Sequence, residues 1–479
     1  MSDPVLGHAL AGRDALIARL EALIRCPSVG VDPAAAEGME AARRLIETWA
    51  VEAGFSGLRR LSAPDGSGQP AIYAERCDAP GRPTILVYGH YDVQPPEPLG
   101  AWTTPPFEPA IRDGRMFGRG ASDDKGPVLV ALGALAAFAA VEGRLPVNVK
   151  LLIEGEEETG SPSLGPILDA HCDLLAADAV LSADGARWRP DLVTVNVGHR
   201  GSGGIEIRVR TAVKDLHSGR YGGIVPNALH VLARILAGLH DGQGRIAVPG
   251  FLDGVAEPDA AARAAIATIP MDEGALYAGL GTAPAGEAGY GLLERLWLRP
   301  TLEVNGMWGG HTGPGAKTVI PHEARAKITV RMVEGQDPAR VRAALIAHLH
   351  AACPPGARLD VTAERGWAGA YTVPPAHPLL GAAEDALAAT TGMRPVRVRI
   401  GATLPLADIV RDRLGIDTVM FSFATADEDF HAPNEFFRLS AIDGGLTAWV
   451  AILRGLGRQD AAGYAPFRRP PAPVAPAPG

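Results

Sequence analysis

Thr84-Ile85-Leu86-Val87-Tyr88-Gly89-His90-Tyr91-Asp92 is the stretch on which the fold turns. Its first five residues, rich in β-branched and aromatic side chains, make an apolar run short enough for a strand, and polar chemistry begins where that run stops. The arrangement returns further along. A helical stretch from Pro127 to about Val141 precedes a strand from Val147 to Ile153, which runs into the acidic cluster Glu154 to Glu158. A further strand, Ala179 to Ser182, is followed by Asp184. Strands that alternate with helices and end in polar clusters predict an α/β sheet with its site at the strand ends. Upstream, Leu16, Ile17, Leu20, Leu23 and Ile24 fall at helical spacing, giving an amphipathic helix that ends before Cys26-Pro27.

From about Arg200 the pattern changes. Ile205-Glu206-Ile207-Arg208-Val209-Arg210 alternates as a strand with one solvated face does. A helix from Pro226 to Leu239, a strand from Ala324 to Met332, a helix from Pro338 to His350 and a strand from Arg358 to Thr362 complete a second layer. After Pro374-Pro375 the chain resumes with strands at Val396 to Ile400 and Thr418 to Phe423, the latter running into Asp427-Glu428-Asp429-Phe430-His431, and closes with a helix from about Ser440 to Leu453. At 479 residues two domains are the prior. Residues 1–199 and 373–462 read as two parts of one α/β domain, and 200–372 as an inserted α+β domain. Residues 463–479 read as a proline-rich tail, expected to be disordered.

A net charge of −9 is unfavourable for binding nucleic acid, which needs clustered Lys and Arg. With 47% hydrophobic and 21% charged residues the composition is that of a globular protein. No unbroken apolar run approaches the roughly 18 residues of a membrane span, and the first residues lack the features of an export signal. A soluble, cytoplasmic protein without membrane or nucleic-acid partners is expected. The four cysteines lie far apart with no CxxC pair, which argues against a disulfide framework and against a Cys-based zinc site.

Imidazole and carboxylate oxygens suit zinc and its neighbours. Singly, each candidate has a plainer reading: a lone His after a strand is commonly a hydrogen-bonded structural residue, and an acidic run is commonly a solvated face. Together, His90, Asp123, Glu158, Asp184 and His431 all follow strands or occupy Gly-rich turns of one α/β layer, and two histidines with three carboxylates suffice for two metals.

The chain resembles the di-zinc exopeptidase and deacylase family that includes carnosine dipeptidase, aminoacylase, acetylornithine deacetylase and succinyl-diaminopimelate desuccinylase. The resemblance rests on GHYDVQP (89–95), GRGASDDKGP (118–127), EGEEETGS (154–161), SADG (182–185), DLHSG (215–219), KTVIP (317–321) and the His431 segment, in the family's order. YGHYDVQP, the DDKGP form of the second motif and VRTAVKDLHSGRYGG make it most similar to the carnosine dipeptidase branch. It implies a mixed-sheet zinc-exopeptidase-like catalytic domain with an inserted lid and dimerisation domain. It further implies that His90 and Asp184 bind one metal, Glu158 and His431 the other, and that Asp123 bridges them. Zinc is the metal implied, with manganese or cobalt as alternatives.

Asp92 would accept the second ring N–H of His90, and the Asp123–Asp124 peptide would be cis. Glu157 would be the general base for a water shared by the two ions. His217 would donate to the oxyanion, and Arg331 would clasp the substrate's terminal carboxylate. Thr318 and Thr403 match substrate-contacting positions, although Thr403 stands where relatives often carry serine. The activity implied is hydrolysis of dipeptides or short peptides, with N-acyl-amino-acid deacylation as the alternative. A homodimer through the inserted domain is implied, with His217 completing the neighbour's site. Gly310 to Thr318 imitates a phosphate-binding loop but is out of register, because Ala316 separates the last glycine from Lys317. A binding protein that kept the fold and lost turnover is disfavoured by the complete set of ligands and base.

Overall fold

Parallel pairing of the Thr84–His90 strand decides where the polar clusters meet. In the computed structural model, which describes residues 3–364, 366–401 and 405–470, it lies between Asn148–Glu154 and Ala179–Ser182 and pairs in parallel with both. Register sets His90 opposite Glu154 and Tyr88 opposite Ser182. Three strands running the same way bring their carboxyl ends, and the segments that follow them, to one edge of the sheet. Thr418–Met420 adds another parallel strand beyond Ala179–Ser182, while Ala71–Arg76 and Ser56–Leu61 extend the other side in antiparallel fashion. The result is a mixed sheet of six strands among the described residues.

Every residue of the central strand after Thr84 is buried, as expected where both faces are covered. On one face Leu86, Tyr88, Leu152 and Val180 pack with Leu164, Ile167 and Leu168 of the helix Leu164–Ala170 and with Val410 of the helix Pro405–Leu414. The helix Gly126–Glu142 starts with Pro127 in its first turn, where no N–H is needed, and stops at Gly143, whose φ of 69° suits glycine. By length and composition Ala121–Glu142 and Leu439–Leu456 could each cross a membrane, a property hidden from a search for unbroken apolar runs. In the fold, 72% and 56% of their most apolar windows are buried inside the protein.

The chain divides into two compact units. The first takes the chain to Val197, Val373–Val398 and the chain from Pro405; the second is Gly198–Thr372 with a short segment from Arg399, against the 200–372 read from the sequence. The second unit is an antiparallel sheet in the order Thr301–Gly309, Glu323–Met332, Gly201–Arg210, Arg358–Ala363. Ile205, Ile207, Val209, Ile328 and Val330 pack under Leu232 and Ile235 of the helix Ala228–Ala237 and under Val341, Leu345 and Leu349 of the helix Pro338–Ala352. Their polar neighbours along the strands take the other face. The sequence reading missed three short helices before this sheet's edge strand, Ala260–Ala267, Glu273–Leu280 and Leu292–Trp297; the first two bury none of their residues, so no apolar stripe marks them.

Two other expectations are corrected. The strand at Thr418 ends at Met420, not Phe423. The expected tail from residue 463 is ordered as far as it is described: Ala461–Phe467 forms a 3₁₀ helix, Tyr464 is fully buried beside His377 and donates to Gln459, and the Arg469 N–H donates to the Gly415 carbonyl. One aromatic anchor and an Arg468–Asp178 ion pair outweigh the proline content there. Residues 471–479 lie outside the described residues.

At Gly89 the helix Gly126–Glu142 packs tightly against the sheet. A Cβ at this position would lie 2.4 Å from Val128 Cγ2 and 2.7 Å from Asp124 Oδ2. Gly89→Ala should therefore lower stability by about 1–3 kcal/mol through overpacking, whereas Gly100→Ala, where nothing lies within 4 Å, should stay within about 0.5 kcal/mol of the parent. Urea denaturation of the two variants checks this, and equal midpoints would refute it.

Candidate metal centre

The first unit gathers His90, Asp123, Glu158, Asp184 and His431. Asp123 holds the middle: His90 Nε2 lies 3.0 Å from its Oδ1 and His431 Nε2 lies 2.9 Å from its Oδ2. Each carboxylate oxygen thus faces a different imidazole. His431 Nε2 is also 3.0 Å from Glu158 Oε2. The donor atoms of Asp123, Glu158 and His431 form one cluster with all separations within 4.8 Å, and those of His90, Asp124 and Asp184 form another. Asp124 is the residue that the sequence reading did not assign. The second Asp of the DDKGP motif was its visible signal, and the structure buries it completely, with Oδ2 accepting from the His90 N–H and Oδ1 without a hydrogen-bond partner among the described residues. The Asp123–Asp124 peptide is cis.

Asp92 stands behind His90, where it was expected, and takes on a second role as well. The second ring nitrogen of His90 is 3.1 Å from the backbone carbonyl of Asp92 and 3.4 Å from its Oδ1. The Asp92 carboxylate chiefly accepts the backbone N–H groups of Glu157, at 3.2 Å, and Glu158, at 3.1 Å. It fixes the turn that carries both glutamates, and its own main chain steadies the histidine. Gln94, also unassigned from the sequence, donates through its side-chain amide to the Glu158 carbonyl and to Glu158 Oε2, at 3.1 and 3.0 Å. Glu157 has no side-chain hydrogen bond among the described residues.

Burial dominates the electrostatics. It pushes the Glu157 carboxyl well above the carboxylate range, with Asp184, Asp123 and Glu158 adding to the effect against His90. Burial likewise raises Asp184 to about 6 and Asp124 well above its usual value. Burial opposes ionisation of Asp123 too, yet His431 and His90 hold that carboxylate below its ordinary range. Hydrogen bonds to Asp123 and Glu158 lift His431 to about 10. Carboxylates packed this closely, one with an orphaned oxygen, are a donor set that divalent cations neutralise, displacing protons from the rings as they bind.

A profile of Peptidase family M20/M25/M40 matches residues 86–455. The chain belongs to this family, and it is a metal-dependent peptidase. It is 31% identical to a Beta-Ala-His dipeptidase of Rattus norvegicus over 389 residues, covering 78% of this chain and 77% of the relative. It is 28% identical to a Cys-Gly metallodipeptidase of Saccharomyces cerevisiae over 456 residues, covering 91% and 94%. Among solved structures, an M20 family metallo-carboxypeptidase from Sulfolobus solfataricus superimposes with a TM-score of 0.80 at 30% identity, covering 92% of this chain and 99% of that one.

The remaining candidates of this M20 peptidase belong to the second unit or fall outside the described residues. His217 is exposed, and its Nδ1 accepts the Gly219 N–H at 3.1 Å, so the neutral ring carries its proton on Nε2. The Leu216–His217 strand pairs with Val319–Ile320, and the Ser218 N–H donates to the Thr318 carbonyl, so His217 and Thr318 are neighbours. Arg331 lies half-buried on the strand Glu323–Met332, on the face opposite the core. Thr403 lies outside the described residues.

Asp92→Asn would set an amide N–H₂ against one of the two backbone N–H groups that the carboxylate now accepts. Metal affinity should fall about 10–100-fold, the usual effect of losing a partner behind a ligand. Calorimetric titration of the metal-stripped variant with zinc measures this; an unchanged affinity would show that the Glu157–Glu158 turn holds without Asp92.

Proposed function

We propose that this M20 peptidase cleaves the peptide bond of dipeptides, using two divalent ions and Glu157 as general base. The observation that carries the reading is Asp123 set between two imidazoles at 3.0 and 2.9 Å, beside a half-buried glutamate with no side-chain hydrogen bond among the described residues. His90 with Asp184 would hold one ion, Glu158 with His431 the other, and Asp123 both, with Asp124 close to the first. When bound, such ions polarise a carbonyl and bring the pKa of water from about 16 toward 7. Zinc is the proposed metal, and the same donors accept manganese or cobalt.

Glu157 takes the proton from water as the water oxygen attacks the peptide carbonyl. The same proton then passes from Glu157 to the departing nitrogen as the C–N bond breaks, so the reaction consumes one water and regenerates the carboxylate. The Nε2–H of His217 is the proposed donor to the oxyanion, Arg331 the proposed partner of the substrate's terminal carboxylate, and Thr318 and Thr403 further substrate contacts. Dipeptides are favoured over acylated amino acids because the rat and yeast relatives are a Beta-Ala-His and a Cys-Gly dipeptidase. A homodimer through the second unit is also proposed, supported by the open edge strand Thr301–Gly309 with its exposed Val304, Met307 and Trp308.

Stripping the metal should abolish hydrolysis of a dipeptide panel and zinc or manganese should restore it, with N-acyl amino acids cleaved poorly. Activity confined to the acylated substrates would replace the dipeptidase reading. Glu157→Gln should lose about 10²–10⁴-fold in kcat while still taking up metal; a variant with wild-type kcat would remove Glu157 from the mechanism. If His217 acts in the partner's site, mixing His217→Ala and Glu157→Ala subunits should recover activity that neither has alone. Verified mixed dimers without recovery would place His217 in its own subunit's site or outside catalysis.

A further inference from the structure

Glu435, four residues beyond His431, is fully buried and is used by nothing in the reaction described above. Its Oε2 accepts from Arg119 Nη1 at 2.8 Å and from the Gly120 N–H at 2.9 Å; its Oε1 accepts from the N–H groups of Ser122 and Asp123 at 2.9 and 3.2 Å. Its backbone carbonyl accepts from the Gly118 N–H at 3.0 Å. One carboxylate therefore gathers three amides of the Gly120–Asp123 turn. A second brace runs between the same two segments: Ser122 Oγ donates to Glu428 Oε2 at 2.6 Å, and the Glu428 carbonyl accepts from the Phe436 N–H. Between the braces His431 sits at a φ of 64°, with Asp429 and Asn434 also in the left-handed region, and Asn434 is pinned through its side chain to Thr103 and Ala101.

We infer that Glu435 is a positioning residue for the metal centre: it ties the segment that carries His431 to the backbone of Asp123, and so sets the 2.9 Å approach of His431 to Asp123. Sequence separation explains why this is invisible locally, since Glu435 and Asp123 are 312 residues apart. A carboxylate is needed because all four side-chain partners are donors. In Glu435→Gln an amide N–H₂ would face one pair of them, whereas Glu435→Asp keeps the acceptors on a shorter arm.

The inference rests on the two-metal reading, and metal binding tests it without substrate. Metal-stripped wild type, Glu435→Gln and Glu435→Asp are titrated with zinc, with circular dichroism as the check of folding. Expected are zinc affinity about 10–100-fold weaker in Glu435→Gln, a lower kcat with KM within about twofold once metal is saturating, and partial recovery in Glu435→Asp. A folded Glu435→Gln with wild-type zinc affinity would overturn the inference, whatever its kcat. Failure of both variants to fold would also overturn it, assigning Glu435 to the stability of the unit instead. Wild type that binds zinc without cleaving peptides would defeat the proposed function and leave the affinity comparison standing.

Discussion

Repulsion among carboxylates is the constraint that the rest of the first unit serves. Asp123, Asp124, Glu157, Glu158 and Asp184 converge around two imidazoles in a largely buried site, an arrangement that desolvation and like charge both oppose. It persists because fixed hydrogen bonds hold the ring of residues around it. Asp92 grips the turn of Glu157 and Glu158, Gln94 holds Glu158, and Glu435 with Glu428 holds the turns of Asp123 and His431. The carboxylates proposed to bear the chemistry are thus carried by other carboxylates and amides.

The division of labour has a physical basis. A ligand must be able to give its lone pairs to a cation, so its place must be fixed through its backbone or its remaining atoms. Glu435 contacts the Asp123 amide and not the Asp123 carboxylate, and Asp92 contacts the amides of Glu157 and Glu158 and not their carboxylates. Both leave the working oxygens facing the centre. Gly89 belongs to the same economy of space, since without a side chain it lets the helix behind Asp124 close onto the sheet.

The second unit has its own core and follows simpler rules. An antiparallel sheet packs one face under two helices, and strict alternation along Glu323–Met332 sends Arg331 to the other face. The His217 ring is set by a local bond from the Gly219 N–H to its Nδ1, which leaves Nε2 as the ring's donor in the neutral form. Both residues are presented on regular, paired backbone, which favours fixed direction over mobility.

Periodicity and composition determined the three central parallel strands, the change of character near residue 200, and the placing of His90 and Asp184 at or just past strand ends, because side-chain patterning along short segments is a local property. The ordered motifs supplied the donor set in the same way. Where a segment was read, helix and strand ends shifted by only a few residues; among those left unread were the helix Ala36–Glu52, the strands Ser56–Leu61, Ala71–Arg76 and Thr301–Gly309, the exposed helices between 260 and 280, which carry no apolar stripe, and the tail segment held by Tyr464 and Arg468. Only the tertiary structure decided that Asp123 faces both histidines, that Asp124 stands beside His90, and that Asp92 acts through amides of the glutamate turn. It alone brought Glu435 to the amide of a residue 312 positions away. Hydrogen bonds of this kind join segments whose sequences carry no mark of each other, so they come into being only when the sheet has brought its strand ends to one edge.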